Sequence, residues 1–416
     1  KMGIITFQFV NMSIASKLTM TQFISILLLL MPTSLLCSEE TYPLPPPHEG
    51  EFPYRTLRNG DKLPLVGLGG CSGIRKKDVI SALSTGYRHL DTAQAYVWGY
   101  REDEVGDAIV ESEVNRGDIF LQSKIHPEDL GYEPTKEAVE LSLNRLHVSK
   151  IDSMLLHKPR CWEGACSKKP KGTWQESWVA LQEFYDSGTV GAIGICDVTE
   201  PLLAELLNQR IRPHIIQNWM DPFHQDKHIR KRCIEENIQY QAYSTLGNQW
   251  LHHKGHNTNP VLFNPTLRSI AKSHNVDVAQ VVINWATRHG VAVVPASTNA
   301  TRQETNYNSF GFDLTDDEMR KIDALDGKVP VPDPNRVSLT FENKRDEKLH
   351  SYWVNESSGE EVHVGELEGG GTLSMGSYHG HKFLFKDMEG FIVSSHTVSK
   401  DDGYEQRHFV SDGSEL

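Results

Sequence analysis

The chain has 416 residues, 42 Lys and Arg against 55 Asp and Glu, a formal net charge of −13, and 38% apolar and 23% charged residues. That length fits one large domain plus a small one, or two medium ones, and the composition excludes collagenous, coiled-coil and disordered classes. The acidic balance, with no clustered Lys and Arg, excludes a general phosphate-backbone binder, so no nucleic-acid partner is expected.

In chain order, residues 1–38 read as a secretory signal peptide: Lys17 and Met20 precede an apolar run from Phe23 to Leu36, and Cys37-Ser38-Glu39-Glu40 follow. The run is short for a bilayer, so cleavage is the first reading and a membrane anchor through residues 20–36 the second. With cleavage, the mature chain is expected in the secretory pathway, secreted or lumenal, and free of the membrane. Residues 39–53 (EETYPLPPPHEGEFP) form a proline-rich lead-in. Loss of Cys37 leaves five cysteines, an odd number. Cys161 and Cys166 flank the segment WEGA: they form a local disulfide in an oxidising compartment, or stand as two thiols in a reducing one. Two cysteines without further ligands do not make a zinc site, and no metal is expected.

From residue 54 to 327 short β-branched runs alternate with amphipathic stretches. The runs are LVGLGG (65–70), YRHLDT (87–92), IFLQSK (119–124), DSMLLH (152–157), GAIGIC (191–196), HIIQNW (214–219), IQYQAY (238–243) and VAVVPAS (291–297). Helical spacing marks 135–146, 174–187 and 227–236. Eight strands alternating with helices predict an α/β fold, a parallel (β/α)8 TIM barrel, with an open doubly wound sheet as the rival; the absence of GxGxxG after the first run disfavours a Rossmann fold. Residues 328–337 read as a proline-rich linker. Residues 338–410 alternate polar and apolar positions between Gly-rich turns and predict a small all-β sandwich, followed by a tail at 411–416.

Barrel active sites lie at the C-terminal ends of the strands. Here those ends carry Asp91 (then Tyr96), Lys124, His157, Cys196 and Asp197, Gln217 and Asn218, Tyr243 and Ser244, and Ser297. On GYRHLDTAQAY, the SK at 123–124, LLHKP, QAYSTLG and VPASTNATRQETN, residues 54–326 resemble the aldo-keto reductase family. The resemblance implies carbonyl reduction with Asp91, Tyr96, Lys124 and His157 as catalytic residues. In that scheme a tyrosine gives the proton, Lys124 lowers its pKa, Asp91 holds the lysine, and His157 donates to the substrate oxygen. The family's Tyr-Gly-Asn-Glu is replaced by Tyr96-Val97-Trp98-Gly99-Tyr100; Tyr96 keeps the five-residue offset from Asp91, and Tyr100 is the second candidate.

The resemblance also implies NADPH as cofactor, with NADH as the alternative. Tyr243 would stack on the nicotinamide, Gln217 would bond its carboxamide, Cys196 and Asp197 stand in place of a Ser-Asn pair, and Ser244 and Leu246 flank the site. Ser297, Arg302 and Asn306 would hold the adenosine phosphate, with Ala296 where the family has a lysine. Trp162, on the short 158–173 loop, and Trp250, on the 244–264 loop, either wall an apolar cleft for a small carbonyl substrate or pack on the barrel. His252, His253 and His256 read as a polar loop.

On Trp353 and Ser377-Tyr378-His379-Gly380-His381, residues 352–385 resemble the β domain of the von Hippel-Lindau tumour suppressor. That likeness implies a peptide partner, with Trp353, Ser377 and His381 matching pocket residues. Val364 stands where that pocket has a tyrosine and Phe383 where it has a tryptophan. A second class of function, a nicotinamide-binding sensor or adaptor with little turnover whose β domain engages a protein, stays open beside the enzyme.

Overall fold

The computed structural model describes residues 53–71, 73–161, 166–252, 256, 258–328, 336–355, 358–402 and 405–411. The signal-peptide region, nearly all of the lead-in, most of the linker and tail, and Trp162 and His253 lie outside them.

The described chain begins with an antiparallel hairpin, β1 (Tyr54–Thr56) and β2 (Lys62–Pro64). The sequence pattern did not indicate it, because its shape comes from distant partners. Leu63 is fully buried, and the Arg58 guanidinium donates to the carbonyls of Arg212 at 2.6 Å and Pro213 at 3.0 Å.

Eight strands follow: β3 (Leu68–Gly69), β4 (His89–Asp91), β5 (Phe120–Ile125), β6 (Ile151–Leu156), β7 (Val190–Cys196), β8 (Ile215–Trp219), β9 (Gln239–Tyr243) and β10 (Ala292–Val293). Each pairs in parallel with the next. Val66 bridges Val293 in parallel, and Gly67 N and Val293 N donate to the carbonyls of Val293 and Leu65, both at 2.8 Å. First and last strands therefore meet, and the sheet closes into the expected (β/α)8 barrel.

The helices are α1 (Lys76–Thr85), α2 (Glu102–Glu111), α3 (Tyr132–Arg145), α4 (Trp174–Asp186), α5 (Glu200–Leu207), α6 (Lys227–Glu235), α7 (Asn248–His252), α8 (Pro265–His274), α9 (Val278–Arg288), α10 (Ala300–Tyr307) and α11 (Asp316–Asp323). Several start on reciprocal caps, Thr173 with Glu176, Asp277 with Gln280 and Thr315 with Glu318, which satisfy first-turn N–H groups. Their apolar faces bury Trp178 and Trp285 completely. Each indole still finds an acceptor, Ile211 O at 3.0 Å and Asp323 Oδ1 at 2.7 Å. Among the described residues no helix is long and apolar enough to cross a membrane.

The C-terminal residues form the expected small β domain. Its strands are β11 (Arg336–Asn343), β12 (Leu349–Val354), β13 (Glu361–Leu367), β14 (Thr372–Tyr378), β15 (Lys382–Lys386), β16 (Ile392–Thr397) and β17 (Glu405–Val410), in sheets ordered β14-β11-β17 and β13-β12-β15-β16. Inward positions from both sheets, among them Leu339, Phe341, Leu349, Phe383 and Phe385, make one core. The buried Asn343 amide bonds the carbonyls of Glu347, Leu367 and Glu368 at 2.7, 3.1 and 3.2 Å, pinning the adjoining turns.

Close strand packing in the barrel depends on Gly194, paired to Ile215 across β7 and β8. A methyl there meets the Ile215 carbonyl oxygen and the Leu155 side chain well inside van der Waals contact, whereas one at Gly311 meets nothing within 4 Å. Gly194→Ala should lower the unfolding free energy by about 1–3 kcal/mol and Gly311→Ala by less than about 0.5 kcal/mol, read from urea denaturation midpoints. Equal midpoints for the two variants would contradict this packing.

Candidate active site

At the C-terminal end of the barrel a cleft of about 1750 Å3 opens, ample for a dinucleotide and a small substrate against the usual range of about 300–1,000 Å3 for small-molecule sites. Beneath it lies a buried ion pair. Lys124 Nζ, with no exposure, sits 2.7 Å from Asp91 and donates to Thr92 O at 3.1 Å. Asp91 Oδ1 also accepts from Gln122 Nε2 at 2.6 Å and Gln217 Nε2 at 3.2 Å. Both amides also donate to Gln241 Oε1, at 2.8 and 3.0 Å. Gln241 Nε2 meets His89 Nε2 at 3.1 Å, and His89 Nδ1 meets Pro64 O at 3.0 Å. A continuous polar ladder thus crosses the barrel interior from the cleft floor to the hairpin.

Of the two candidate tyrosines, only Tyr100 joins this group. Tyr96 is 39% exposed, lies outside the cleft lining, and packs under Arg145 and Arg101, at 4.9 and 5.7 Å from its ring. The expected grouping of Tyr96 with Asp91, Lys124 and His157 is therefore corrected, and the cause is local. Residues Tyr96–Trp98 form a short 3-10 turn that Gly99 ends in the left-handed region, φ 86, where glycine carries no steric cost. The chain turns back, and Tyr100 enters the cleft with Lys124 Nζ 5.0 Å from its ring centroid and the His157 ring at 5.5 Å.

The loop is anchored at both ends. Gln94 Nε2 donates to Ala138 O at 2.6 Å and Ser142 Oγ at 2.7 Å. Glu102, fully buried, accepts from Ser123 Oγ at 2.6 Å and Ser142 Oγ at 2.5 Å.

Burial pushes the Tyr100 phenol well above its ordinary pKa, reinforced by Cys71 and Asp91. The expected downward shift by Lys124 is not what the site imposes: the hydroxyl keeps its proton. His157 moves the other way. Burial, then Lys124 and Lys158, hold it well below the ordinary histidine value, so the ring is neutral near pH 7. Its Nδ1 is buried with no partner among the described residues. Trp98 packs edge-on against His157, ring centroids 4.8 Å apart.

All the expected cofactor residues line the cleft: Cys196, Asp197, Gln217, Tyr243, Ser244, Leu246, Ser297, Arg302 and Asn306. Asp197, in the left-handed region at φ 55, accepts from Tyr243 OH at 2.9 Å and pairs with the Lys158 ammonium. Burial pushes the Cys196 thiol up to about 12, so it stays protonated and faces Gln217 Oε1 at 3.7 Å. Ser297 Oγ accepts from Arg302 Nε at 3.3 Å, and Asn299 Oδ1 caps α10 through Arg302 N at 2.9 Å.

Trp250 does not wall the cleft. Its indole donates to the buried Asp221 at 2.8 Å, beside Trp219 at 2.9 Å, so its role is packing. Val97 and Trp98 line the cleft instead. His252 lines it too, while His256 packs on Trp250. Gln122, Gln241 and His89 were not among the expected site residues; polar residues on the inward face of apolar strands were the available signal. Cys161 and Cys166 are joined in a disulfide. In the β domain, Ser377 Oγ meets His381 Nδ1 at 2.9 Å and the Trp353 and His381 rings lie 5.3 Å apart, so the three matched residues do cluster.

A closed (β/α)8 barrel thus gathers Asp91, Lys124, Tyr100 and His157 at its C-terminal mouth, groups able to deliver a proton to an oxygen held in the cleft. The chain belongs to the aldo/keto reductase family, whose match covers residues 75–327. It is 36% identical over 275 residues to the 9,11-endoperoxide prostaglandin H2 reductase of Trypanosoma cruzi, covering 65% of this chain and 90% of that one. It is also 36% identical over 290 residues to the glyoxal reductase of Bacillus subtilis, covering 68% and 96%. Among solved structures it resembles a Bombyx mori aldo-keto reductase in complex with NADP, at TM-score 0.61 and 26% identity over 68% of this chain and 95% of that one.

Burial of His89 gives the ladder a pH signature. Desolvation holds its ring down to about 4, against about 6.5 for the free side chain. Below pH 6.5 the unfolded chain takes up a proton that the folded chain refuses until about pH 4. Its contribution is therefore full above pH 6.5 and lost as pH falls, by about 3 kcal/mol. Urea titrations at pH 7 and pH 4 should show this loss, and His89→Gln should show a smaller loss by that amount; an identical pH dependence in the variant would refute it.

Proposed function

We propose that this chain reduces aldehydes or ketones to alcohols with NADPH, and that Tyr100 is the proton donor. The carrying observation is the convergence of Tyr100, Lys124, Asp91 and His157 at a cleft of about 1750 Å3, roomy enough for a dinucleotide.

The cleft suits the cofactor: Tyr243 offers a ring fixed by Asp197, and Ser297, Arg302 and Asn306 offer a polar, cationic far end. When bound there, NADPH supplies the hydride. The remaining work belongs to the chain. A carbonyl oxygen beside Tyr100 and His157 gathers negative charge as the carbon is reduced. The neutral His157 imidazole donates an N–H to that oxygen, and the Tyr100 hydroxyl transfers its proton to it. The resulting phenolate is stabilised by the Lys124 ammonium, which Asp91 keeps charged and in place. Trp98, packed edge-on against His157, lines the cleft beside the reacting groups.

The disulfide between Cys161 and Cys166 supports an oxidising compartment and so the secretory reading. The cluster of Trp353, Ser377 and His381 supports a peptide-docking role for the β domain.

The test follows NADPH absorbance with a panel of aldehydes and ketones. Tyr100→Phe should lower kcat by at least about 100-fold, with the NADPH dissociation constant held within about twofold, since only the proton donor is lost. Tyr96→Phe should keep kcat within about twofold. Loss of turnover in Tyr96→Phe with retention in Tyr100→Phe would reverse the assignment.

A further inference from the structure

Charge is distributed unevenly along the cleft. Three carboxylates line it, Asp91, Asp197 and Asp277. The first two are held by Lys124 and Lys158; the third, exposed, is the N-cap residue of α9, five residues after Lys272. The two carboxylates beside the reacting groups, Asp91 and Asp197, are thus each matched by a lysine.

Arg268, Lys272 and Arg302 line the same cleft, all three exposed, and no ion pair among the described residues includes any of them. Arg268 lies over the Phe263 ring, 5.1 Å from its centroid. Arg302 uses its Nε on Ser297 and leaves both Nη groups without a partner among the described residues. Arg268 and Lys272 stand four residues apart on α8, on one face, where like charges repel. An acidic chain, net −13, has carboxylates enough to neutralise such a pair. Here none does, and the two cations project into a cleft that a dianionic phosphate would fit.

Resting on the cofactor reading above, we propose that Lys272, reinforced by Arg268, is the second cation for the cofactor's adenosine phosphate, acting together with Arg302. Ala296, next to Ser297, brings no charge; α8 supplies it from a different element. Helix packing supports the placement: Gln280 Nε2 at the start of α9 donates to Asn308 O just past α10 at 2.8 Å, and Thr305 and Asn306 of α10 line the cleft together with Lys272.

The experiment is a set of fluorescence titrations with NADPH and with NADH. Lys272→Ala should raise the NADPH dissociation constant about tenfold and that for NADH less than about twofold, a difference of about 1.4 kcal/mol. Lys272→Arg should retain most of the NADPH affinity, and Arg268→Ala should act in the same direction by about threefold, as expected of a charge contributing through the field. An unchanged NADPH constant in Lys272→Ala, beside a raised one in Arg302→Ala, would overturn the proposal while the cofactor reading stands. Equal weakening of NADPH and NADH in Lys272→Ala would also overturn it. If the unmodified protein binds neither dinucleotide, the cofactor reading falls and this proposal with it.

Discussion

The site is organised around one buried ion pair, Lys124 with Asp91. A fully buried ammonium is costly, and removing its partner costs about 3–5 kcal/mol because the remaining charge has nothing to replace water. The barrel meets this demand with donors and acceptors from neighbouring strands: Thr92 O, Gln122 and Gln217 all close on the pair. Gln241 and His89 carry the chain of bonds on to Pro64 O in the hairpin. The interior is polar here because the pair needs it, and the hairpin is held partly by the same ladder.

The pair's consequences extend upward as well. Burial, then Lys124 and Lys158, keep the His157 imidazole neutral with one ring N–H left to donate, and Lys124 stands near the Tyr100 ring while burial keeps that hydroxyl protonated. Aspartates in the cleft are consumed locally, Asp91 by Lys124 and Asp197 by Lys158. The cleft therefore runs from a reacting end whose carboxylates are matched by lysines to a cationic far end, which matches the anatomy of a dinucleotide carrying its phosphates away from the reacting ring.

The strands and their polar ends were legible in the sequence because each strand of a barrel is a short β-branched run and function gathers at one end of it. Asp91, Lys124 and His157 stood where the runs stop. The offset from Asp91 favoured Tyr96 over Tyr100, and it misled: the deciding event is the left-handed Gly99, a backbone reversal that depends on tertiary anchoring at Gln94 and Glu102. Trp250 was ambiguous for a related reason. Its indole N–H is satisfied by Asp221, 29 residues earlier in the chain, a contact that no local pattern encodes. The hairpin over 54–64 and the cations of α8 were invisible for the same cause, since each takes its meaning from partners distant in sequence.

The most direct test of the central claim is a double-mutant cycle on Asp91 and Lys124, read as the single-turnover rate of carbonyl reduction. If the two residues act as one unit, Asp91→Asn, Lys124→Met and the double variant should all lose a similar large factor, with a coupling energy close to the effect of either single change. Losses that multiply, or a Lys124→Met variant that retains the full rate, would contradict the account.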